Sequence, residues 1–383
     1  MGTNTLTLIN HLQNGMPLEG RFSNIRVVNR DPTTGERGTE DQGALSVIFQ
    51  AIDEATQKEV ALKFFDPDFL GFNTRYRMEL FEREAKLLGQ FVDKPRFLQR
   101  IQPLSEIEIS ATEANGNSIT VRCAYFVIEW LDGDITKYFL RQNEYDALVK
   151  LSLFRQIVLG VISLHSEKVA HRDIKRDNLR QTVRNNREMT IAIDFGTAIQ
   201  LDSTPIGTIS NYSSAVGATM FAPIEARVGL SGIREVAIYS DIYALGCILH
   251  DLFNIEYFTV RLFNDAGYVN CLGKCSSHIS KINLREVSDE VIIKEFERIL
   301  NLTRNQVVLP GIDSADTSVP NAARDQLSRL LHKLTNIDYK HREHNLQEIL
   351  KMIDSATRSI QNELMDRRKL DQRRKKREQS KLK

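Results

Sequence analysis

An aspartate, a lysine and an asparagine lie close together in the stretch HRDIKRDN, residues 171–178. The run before it, LSLFRQIVLGVISLH, is apolar and amphipathic and predicts a buried helix. A loop at the end of such a helix can hold Asp173 rigidly, where its carboxylate would orient a hydroxyl group or accept its proton. Lys175 would reach a phosphoryl group in transfer, and the amide oxygen of Asn178 suits Mg²⁺. The stretch therefore predicts one part of a phosphoryl-transfer site.

A second carboxylate ends the strand pattern in TIAIDFG, residues 190–196. The β-branched residues at its start predict a short strand, and Asp194 lies where that strand ends. Gly196 then allows an unusual backbone turn. A carboxylate in this position is well placed to bind Mg²⁺, whose preferred ligands are hard oxygen atoms.

A lysine and a glutamate each lie among apolar residues. Lys63 belongs to the apolar strand pattern EVALKFF, residues 59–65, where a charge is costly unless it is paired. Glu84 belongs to the predicted helix RYRMELFEREAKLLGQF, and its neighbours at helical spacing are Leu80, Phe81, Leu87 and Leu88. Since each charge needs a buried partner of opposite sign, the sequence predicts that Lys63 and Glu84 form an ion pair.

In this order along the chain, these stretches resemble the eukaryotic-type (Hanks-type) serine/threonine protein kinase family. The resemblance implies that Lys63 contacts the α- and β-phosphates of ATP and that Glu84 orients Lys63. It implies that Asp173 is the catalytic base, and that Mg²⁺ is bound by Asn178 and Asp194.

The resemblance covers roughly residues 22–355 and favours a particular kind of kinase. A lysine two residues after the catalytic aspartate, here Lys175, is usual in serine/threonine kinases and unusual in tyrosine kinases. The expected activity is therefore transfer of the ATP γ-phosphate to a protein serine or threonine, with autophosphorylation included.

The resemblance also implies an adenine-binding segment in YFVIEWLDGD, residues 125–134. Ile128 would be the gatekeeper, and the backbone of Glu129 and Leu131 would hydrogen-bond adenine. The carboxylate of Asp134 would reach the ribose. The full set of expected ATP-binding residues is Gly43, Ser46, Ile48, Ala61, Lys63, Ile128, Glu129, Leu131 and Asp134.

The glycine-rich loop of the family is degenerate in this chain. Counted back from Lys63, its three glycine positions hold Asp41, Gly43 and Ser46. Backbone N–H groups there would still cradle phosphates, but the carboxylate of Asp41 adds a negative charge beside them. This departure favours one alternative function, a pseudokinase that serves as a nucleotide-binding scaffold.

The activation segment of the family corresponds to the residues between Asp194 and Glu225. Its hydroxyl side chains include Thr208, Ser210, Ser213, Ser214 and Thr219. Arg172 would pair with a phosphate on one of them, since such a group carries roughly −1.5 to −2 charge. Phosphorylation that orders this segment and an unmodified polar loop are both open hypotheses.

Two further matches imply structural roles. The stretch SDIYALG, residues 240–246, resembles the central helix of the larger lobe, in which Asp241 braces the catalytic loop. The stretch DYKHR, residues 338–342, implies that Arg342 pairs with Glu225.

Fold class and domain organisation follow from the order of elements. Short β patterns with one inserted helix are followed by a mostly helical region, which predicts an α+β fold. The resemblance makes this a kinase-like bilobal fold with a β-rich N-lobe and a mainly helical C-lobe. The expected divisions are an N-terminal extension at 1–21, the N-lobe at 22–131, the C-lobe at 132–360 and a basic helical tail at 361–383.

Composition and charge give expectations about the binding partners and the cellular compartment of the protein. The 383 residues carry a net charge of +1, so no overall field selects a nucleic-acid or membrane partner. Neither a signal peptide nor an apolar run long enough to span a membrane is evident, and we expect a reducing cytoplasmic compartment.

The spacing of Cys271, Cys275 and His278 differs from that of common metal sites, so free thiols are favoured.

The tail differs from the rest of the chain. Residues 366–383 contain ten basic and three acidic residues, a net charge of +7, which leaves −6 for residues 1–365. Such a run is most often a solvated helix end, but it would also fit an anchor for anionic lipid or nucleic acid.

A small-molecule phosphotransferase is the second alternative function, because enzymes of related fold share an H-x-D-x-x-x-x-N loop. Lys175, Asp241 and the segment that ends at Glu225 favour a protein substrate instead.

Overall fold

The computed structural model describes residues 3–36, 46–68, 74–112, 118–141, 144–202, 219–283, 286–313 and 319–381. Contacts divide the chain into two compact units. The first, here called the sheet unit, comprises residues 1–133, 180–187 and 191–197. The second, the helical unit, comprises residues 134–179, 188–190 and 198–383. The predicted α+β class is confirmed.

The sheet unit contains a five-stranded antiparallel sheet with strand order β1-β2-β3-β5-β4. Its strands are β1 (Phe22–Val27), β2 (Ser46–Asp53), β3 (Lys58–Phe65), β4 (Arg100–Thr112) and β5 (Ser118–Glu129). Helix α1 (Thr3–Asn14) precedes the sheet, and helix α2 (Thr74–Gly89) lies between β3 and β4. In β3, Lys63 is opposite Ile48 of β2 and Phe126 of β5, which places it in the middle of the sheet.

Alternation along β3 gives the two faces of the sheet different roles. Lys63 lies on the face that carries α2. The flanking residues Leu62 and Phe64 point to the opposite face and are fully buried. That second face is covered by apolar side chains of α1, namely Leu8, Ile9 and Leu12, which belong to the same core cluster. The stretch that sequence analysis treats as an extension thus contributes a helix to the core of the sheet unit.

Short elements follow the sheet. They are β6 (Gly133–Asp134), α3 (Lys137–Leu140), β7 (Val169–Ala170), β8 (Leu179–Arg184), β9 (Arg187–Ala192) and β10 (Ile199–Gln200). In the helical unit, β10 pairs with β7 in an antiparallel bridge just before the H-R-D stretch.

Longer helices build the helical unit. They are α4 (Ala147–Ser166), α5 (Ile224–Arg227), α6 (Arg234–Phe253), α7 (Phe258–Phe263), α8 (Ala266–Ile279), α9 (Asp289–Thr303), α10 (Asn321–Leu334) and α11 (Leu346–Lys381). The sequence was expected to hold no stretch apolar enough to span a membrane, but among the described residues α4 and α6 pass that test by length and composition. Half of the apolar stretch of α4 and 89% of that of α6 are buried within the structure.

Helix α11 runs without interruption into the basic tail, as the helical pattern predicts. It has 36 residues and is therefore about 54 Å long at 1.5 Å per residue. Its first part is packed on the helical unit through Ile353, Ala356 and Ile360. From residue 361 onward the described side chains are exposed, apart from the half-buried Glu363.

Candidate active site

Lys63 lies within hydrogen-bonding distance of two carboxylates of the sheet unit. Its Nζ is 2.8 and 2.9 Å from the two carboxylate oxygens of Glu84 and 2.9 Å from Oδ1 of Asp194. Lys63 and Glu84 are only 5% and 2% exposed. The predicted Lys63–Glu84 ion pair is therefore present, and Asp194 joins it although its position in the chain is distant.

The two carboxylates stabilise the positive charge of Lys63. Burial by itself lowers the pKa of Lys63, but the negative charges of Asp194 and Glu84 outweigh burial, so the pKa of Lys63 is raised. Lys63 is thus held as an ammonium ion at any ordinary pH. Since the carboxylates fix both the charge and the position of this ammonium, it can neutralise the negative charge of phosphate oxygens.

Glu84 also fixes the residue after Asp194. Its Oε1 accepts a hydrogen bond from the backbone N–H of Phe195, with an N–O distance of 3.0 Å. Asp194 itself has a φ of +60°, a left-handed conformation that side chains other than glycine seldom adopt. The unusual turn that sequence analysis assigned to Gly196 therefore lies at Asp194 instead. Asparagine and aspartate tolerate this region best, and such local strain is common at functional sites.

Asp173, Lys175 and Asn178 lie close together in the helical unit. The amide nitrogen Nδ2 of Asn178 donates to Oδ2 of Asp173 at 2.8 Å and to its backbone carbonyl at 3.0 Å. The Nζ of Lys175 is 3.1 Å from Oδ2 of Asp173. Asp173 is 8% exposed, so its carboxylate is held in a fixed direction.

Asp241 of α6 anchors the backbone of this loop. Its carboxylate accepts hydrogen bonds from the N–H of His171 at 2.9 Å and of Arg172 at 2.7 Å. Nε2 of His165, at the end of α4, is 2.9 Å from the same carboxylate. Burial acts to raise the pKa of Asp241, but the hydrogen bond and charge of His165 and the neighbouring His171 lower it. Sequence analysis missed His165, although a polar residue in the last turn of an apolar helix was a usable signal.

The side chain of Arg172 has a backbone partner. Its Nη1 donates to the carbonyl oxygen of Ser231 at 2.8 Å, and the residue is 6% exposed with a φ of +65°. Thr208, Ser210, Ser213 and Ser214 lie outside the described residues, and of Thr219 only the backbone is described.

Arg342 and Glu225 form the ion pair that the resemblance implies. Nη1 and Nη2 of Arg342 are 2.5 and 3.0 Å from the two oxygens of Glu225, and both side chains are fully buried. Arg342 also donates through Nε to the carbonyl oxygen of Asn336 at 2.8 Å. A bidentate pair of this kind ties α5 to the turn before α11.

The expected ATP-binding residues occupy several elements. Gly43 lies outside the described residues, whereas Ser46 and Ile48 lie in β2 of the sheet unit. In the same unit, Ala61 of β3 is opposite Ile128 of β5. Leu131 also belongs to the sheet unit.

Asp134 is the first residue of the helical unit. Its Oδ1 accepts from the N–H of Thr136 at 2.8 Å, which stabilises the turn before α3. The carboxylate expected to reach a ribose therefore already has a local backbone partner.

A polar network at Glu129 was missed by sequence analysis. The N–H of Glu129 donates to the carbonyl oxygen of Gln99 at 3.0 Å, and its carboxylate accepts from the N–H of Gln99 at 2.7 Å. The guanidinium of Arg184 in β8 also contacts this carboxylate and donates to the carbonyl oxygens of Pro95 and Phe97. These bonds hold the end of β5, where adenine contacts are expected.

Asn178 of the helical unit and Asp194 of the sheet unit each offer an oxygen ligand of the kind that Mg²⁺ prefers. Because the amide nitrogen of Asn178 is turned toward Asp173, its oxygen is left for another ligand and has no protein partner among the described residues. Asp194 supplies a carboxylate that is one third exposed. Mg²⁺ needs only one or two such ligands besides phosphate oxygens and water. In the part of the chain that the structure describes, no cluster of three or more His, Cys, Asp or Glu residues could hold a metal by itself.

The cysteines fit the favoured prediction. Cys271 and Cys275 are buried free thiols, as are Cys123 and Cys247.

A sheet unit with a buried lysine–glutamate–aspartate cluster, followed by a helical unit with an anchored H-R-D loop, defines the protein kinase class of fold. Comparison with known families agrees with this assignment. The model of the protein kinase domain family matches residues 41–353, and the chain belongs to that family.

Individual relatives are similar over part of their length. The serine/threonine-protein kinase PrkC of Bacillus subtilis is 28% identical over 240 residues, which is 62% of this chain and 31% of PrkC. The CTD kinase subunit alpha of Saccharomyces cerevisiae is 27% identical over 219 residues, 56% of this chain and 35% of that protein. The serine/threonine-protein kinase PknD of Mycobacterium tuberculosis is 27% identical over 212 residues, 54% of this chain and 27% of PknD. The chain thus matches about a third of the length of these relatives.

Proposed function

We propose that this protein is a serine/threonine protein kinase that transfers the γ-phosphoryl group of ATP to a protein hydroxyl. The observation that carries the proposal is the Lys63 ammonium held by Glu84 and Asp194, because a fixed cation of this kind serves phosphate binding. In this proposal residues 22–131 form the nucleotide-holding lobe and residues 132–360 the substrate-holding lobe.

The roles of the residues follow from their chemistry. Lys63 binds the phosphates that are not transferred, and Glu84 keeps its ammonium in place. The substrate hydroxyl oxygen forms a bond to the γ-phosphorus while the bond to the bridging oxygen breaks and ADP leaves. Asp173 accepts the hydroxyl proton, and Lys175 stabilises the charge on the transferred group. Asn178 and Asp194 would be the protein ligands of Mg²⁺, which would neutralise phosphate charge when bound.

Support for serine and threonine as acceptors comes from Lys175. Its ammonium contacts the carboxylate of Asp173 and therefore lies beside the proposed base. We also propose autophosphorylation within residues 197–219. Mass spectrometry of active protein that finds no phosphate there would remove this part of the proposal.

A transfer assay tests the main proposal. The protein is incubated with γ-labelled ATP, Mg²⁺ and a generic basic protein, and labelled protein is counted. Lys63→Met should abolish labelling while the protein stays folded. Lys58→Met is the matched control, because Lys58 belongs to the same strand but is exposed. Equal labelling by wild type and Lys63→Met would refute the proposal.

The same assay separates the alternatives. A pseudokinase would bind ATP, as measured by calorimetry, without transferring label to any protein. A small-molecule phosphotransferase would label aminoglycosides or choline and leave proteins unlabelled.

A second proposed function concerns the basic tail. We propose that residues 366–383 contact double-stranded nucleic acid. Four cations there, Arg368, Arg373, Arg374 and Lys375, have no ion-pair partner among the described residues. Since successive helical residues turn by about 100°, these four side chains point in all directions around the helix axis.

This distribution of cations around the helix favours nucleic acid over a membrane surface as the partner of the tail. A helix that lies on a membrane needs one apolar stripe, but Leu364, Met365 and Leu370 point in three different directions. A helix with cations all round instead fits a major groove about 12 Å wide, whose two walls both carry phosphates.

Fluorescence anisotropy with a labelled DNA duplex tests the tail. Changing these four cations to glutamine in the full chain should weaken binding and reduce its salt dependence. Lys294 and Arg329, exposed on α9 and α10, and Lys351, exposed in the first part of α11, are control positions for the same change. Binding only to vesicles with anionic lipid, or unchanged DNA binding in the variant, would contradict the proposal.

We also propose a cytoplasmic location. It is supported by the four free, buried thiols, since cysteines in oxidising compartments usually form disulfides.

A further inference from the structure

Helix α1 is joined to the chain segment that directly follows β3. The backbone N–H groups of Asn4 and Thr5 donate to the two carboxylate oxygens of Asp68, at 3.1 and 2.5 Å. The hydroxyl Oγ1 of Thr5 donates to Oδ1 of Asp66 at 2.6 Å. The first turn of α1 is thus held by two carboxylates, three and five residues after Lys63.

These carboxylates are themselves fixed. Oδ2 of Asp66 is 3.1 Å from Nη2 of Arg30, and the N–H of Asp68 donates to Oδ1 of Asp66 at 3.1 Å. Thr5, Arg30 and Asp66 are 3%, 6% and 8% exposed. Because Thr5 and Asp66 are buried and Asp66 is paired with Arg30, breaking the Thr5–Asp66 bond leaves a buried polar group without a partner, which is costly.

A second contact links α1 to β3. Leu8, Ile9 and Leu12 of α1 share a core cluster with Leu62 and Phe64. Leu62 and Phe64 are the neighbours of Lys63 on the opposite face of the strand. Helix α1 therefore shares a core with the residues that flank Lys63 and is hydrogen-bonded to the segment just beyond β3.

We propose that Thr5 is a positioning residue, which acts through Asp66 and the end of β3 to hold the Lys63 ammonium where it binds phosphate. The inference rests on the proposed kinase function for its effect on catalysis. Its structural part, the coupling of Thr5 to β3, does not depend on any activity.

Three variants of the full chain test this. Thr5→Val keeps the shape of the side chain but removes the hydroxyl, whereas Thr5→Ser keeps the hydroxyl. Thr303→Val is the matched control. Thr303 is 2% exposed and its hydroxyl donates to the carbonyl oxygen of Ile299 at 3.0 Å, but it lies in α9 of the helical unit.

Two readouts are needed. Hydrogen–deuterium exchange of peptides from residues 61–68 reports the order of the end of β3 without nucleotide. Steady-state phosphorylation of a basic protein gives KM for ATP and kcat separately. Thermal unfolding of all variants corrects for a general loss of stability.

Thr5→Val should speed exchange in residues 61–68 and raise KM for ATP by roughly threefold or more, since one buried hydrogen bond to a charged group is lost. Thr5→Ser should restore both values. Thr303→Val should change neither, even with an equal loss of thermal stability.

The positioning role of Thr5 and the proposed kinase function would be contradicted by different results. If Thr5→Val lowers thermal stability but leaves exchange in residues 61–68 and KM for ATP at wild-type values, the positioning role is overturned. If the wild type transfers no phosphoryl group at all, the proposed function fails, while the exchange data still decide whether Thr5 orders β3.

Discussion

The ammonium nitrogen Nζ of Lys63 lies 2.9 Å from Oδ1 of Asp194, although 131 positions separate the two residues in the chain. Both belong to the sheet unit, and Glu84 binds Lys63 and the backbone after Asp194 at the same time. One buried glutamate thus orients the proposed phosphate-binding cation and the proposed metal-binding carboxylate together.

The first prediction concerns that shared anchor. Glu84→Gln keeps the size of the side chain but removes the charge that holds Lys63. Loss of a hydrogen-bonded charge pair should raise KM for ATP roughly tenfold or more. Glu82→Gln, an exposed position on the same helix, is the control for steady-state kinetics. An unchanged KM in Glu84→Gln would show that Glu84 does not orient Lys63.

The second prediction concerns Asn178. Asn178→Ala removes the proposed Mg²⁺ ligand and the hydrogen bonds that hold Asp173. The Mg²⁺ concentration that gives half-maximal activity should therefore rise, and titration of Mg²⁺ at saturating ATP measures it. Asn301→Ala, at an exposed position of α9, should leave the titration curve unchanged. Identical curves for wild type and Asn178→Ala would exclude Asn178 as a ligand.

The third prediction concerns the buried pair of Arg342 and Glu225. Removing one partner, as in Arg342→Met, leaves a charge buried without its counterion and should lower the free energy of unfolding by about 3–5 kcal/mol. The double change Arg342→Met with Glu225→Met should cost less than the sum of the two single changes. Urea unfolding of the four proteins gives the coupling energy, and strict additivity would contradict the assigned pair.

The fourth prediction concerns acid stability. Asp53 is fully buried, and hydrogen bonds from Arg21 at 2.7 and 2.8 Å lower the pKa of its carboxyl from 3.8 to about 2. A pKa lowered in the folded state stabilises the fold above pH 3.8, and this contribution is lost as the pH falls toward 2.

Asp53→Asn should therefore unfold at a lower temperature than wild type at pH 6, and the difference should shrink between pH 4 and pH 2. Thermal unfolding across this range is the measurement, with Asp354→Asn at a partly exposed position as control. A difference that stays constant with pH would mean that the Arg21–Asp53 bond does not set this pKa.

Several features of the site were predictable from the sequence for physical reasons. A lysine in an apolar strand and a glutamate on an apolar helix face each require a partner, and only pairing meets both needs. The fold class followed because strand patterns and helical patterns occupy separate parts of the chain.

Other features depend on tertiary contacts that no local pattern contains. The apolar spacing of Leu8, Ile9 and Leu12 is compatible with a helix, but it does not reveal which sheet face they cover. The pairing of Glu129 with Arg184 joins residues that have no periodic relation. The left-handed turn at Asp194 was assigned to Gly196 because glycine is the usual residue for it, whereas the bonds to Lys63 stabilise it at the aspartate.

The rate of transfer to a basic protein, measured in a single turnover with γ-labelled ATP, tests the central claim most directly. Wild type should transfer at ~1–100 s⁻¹, and Asp173→Asn should be slower by roughly a hundredfold or more, since it can no longer accept the proton. Asp177→Asn, four residues further in the same loop, should stay near the wild-type rate. Transfer by Asp173→Asn at the wild-type rate would contradict the account.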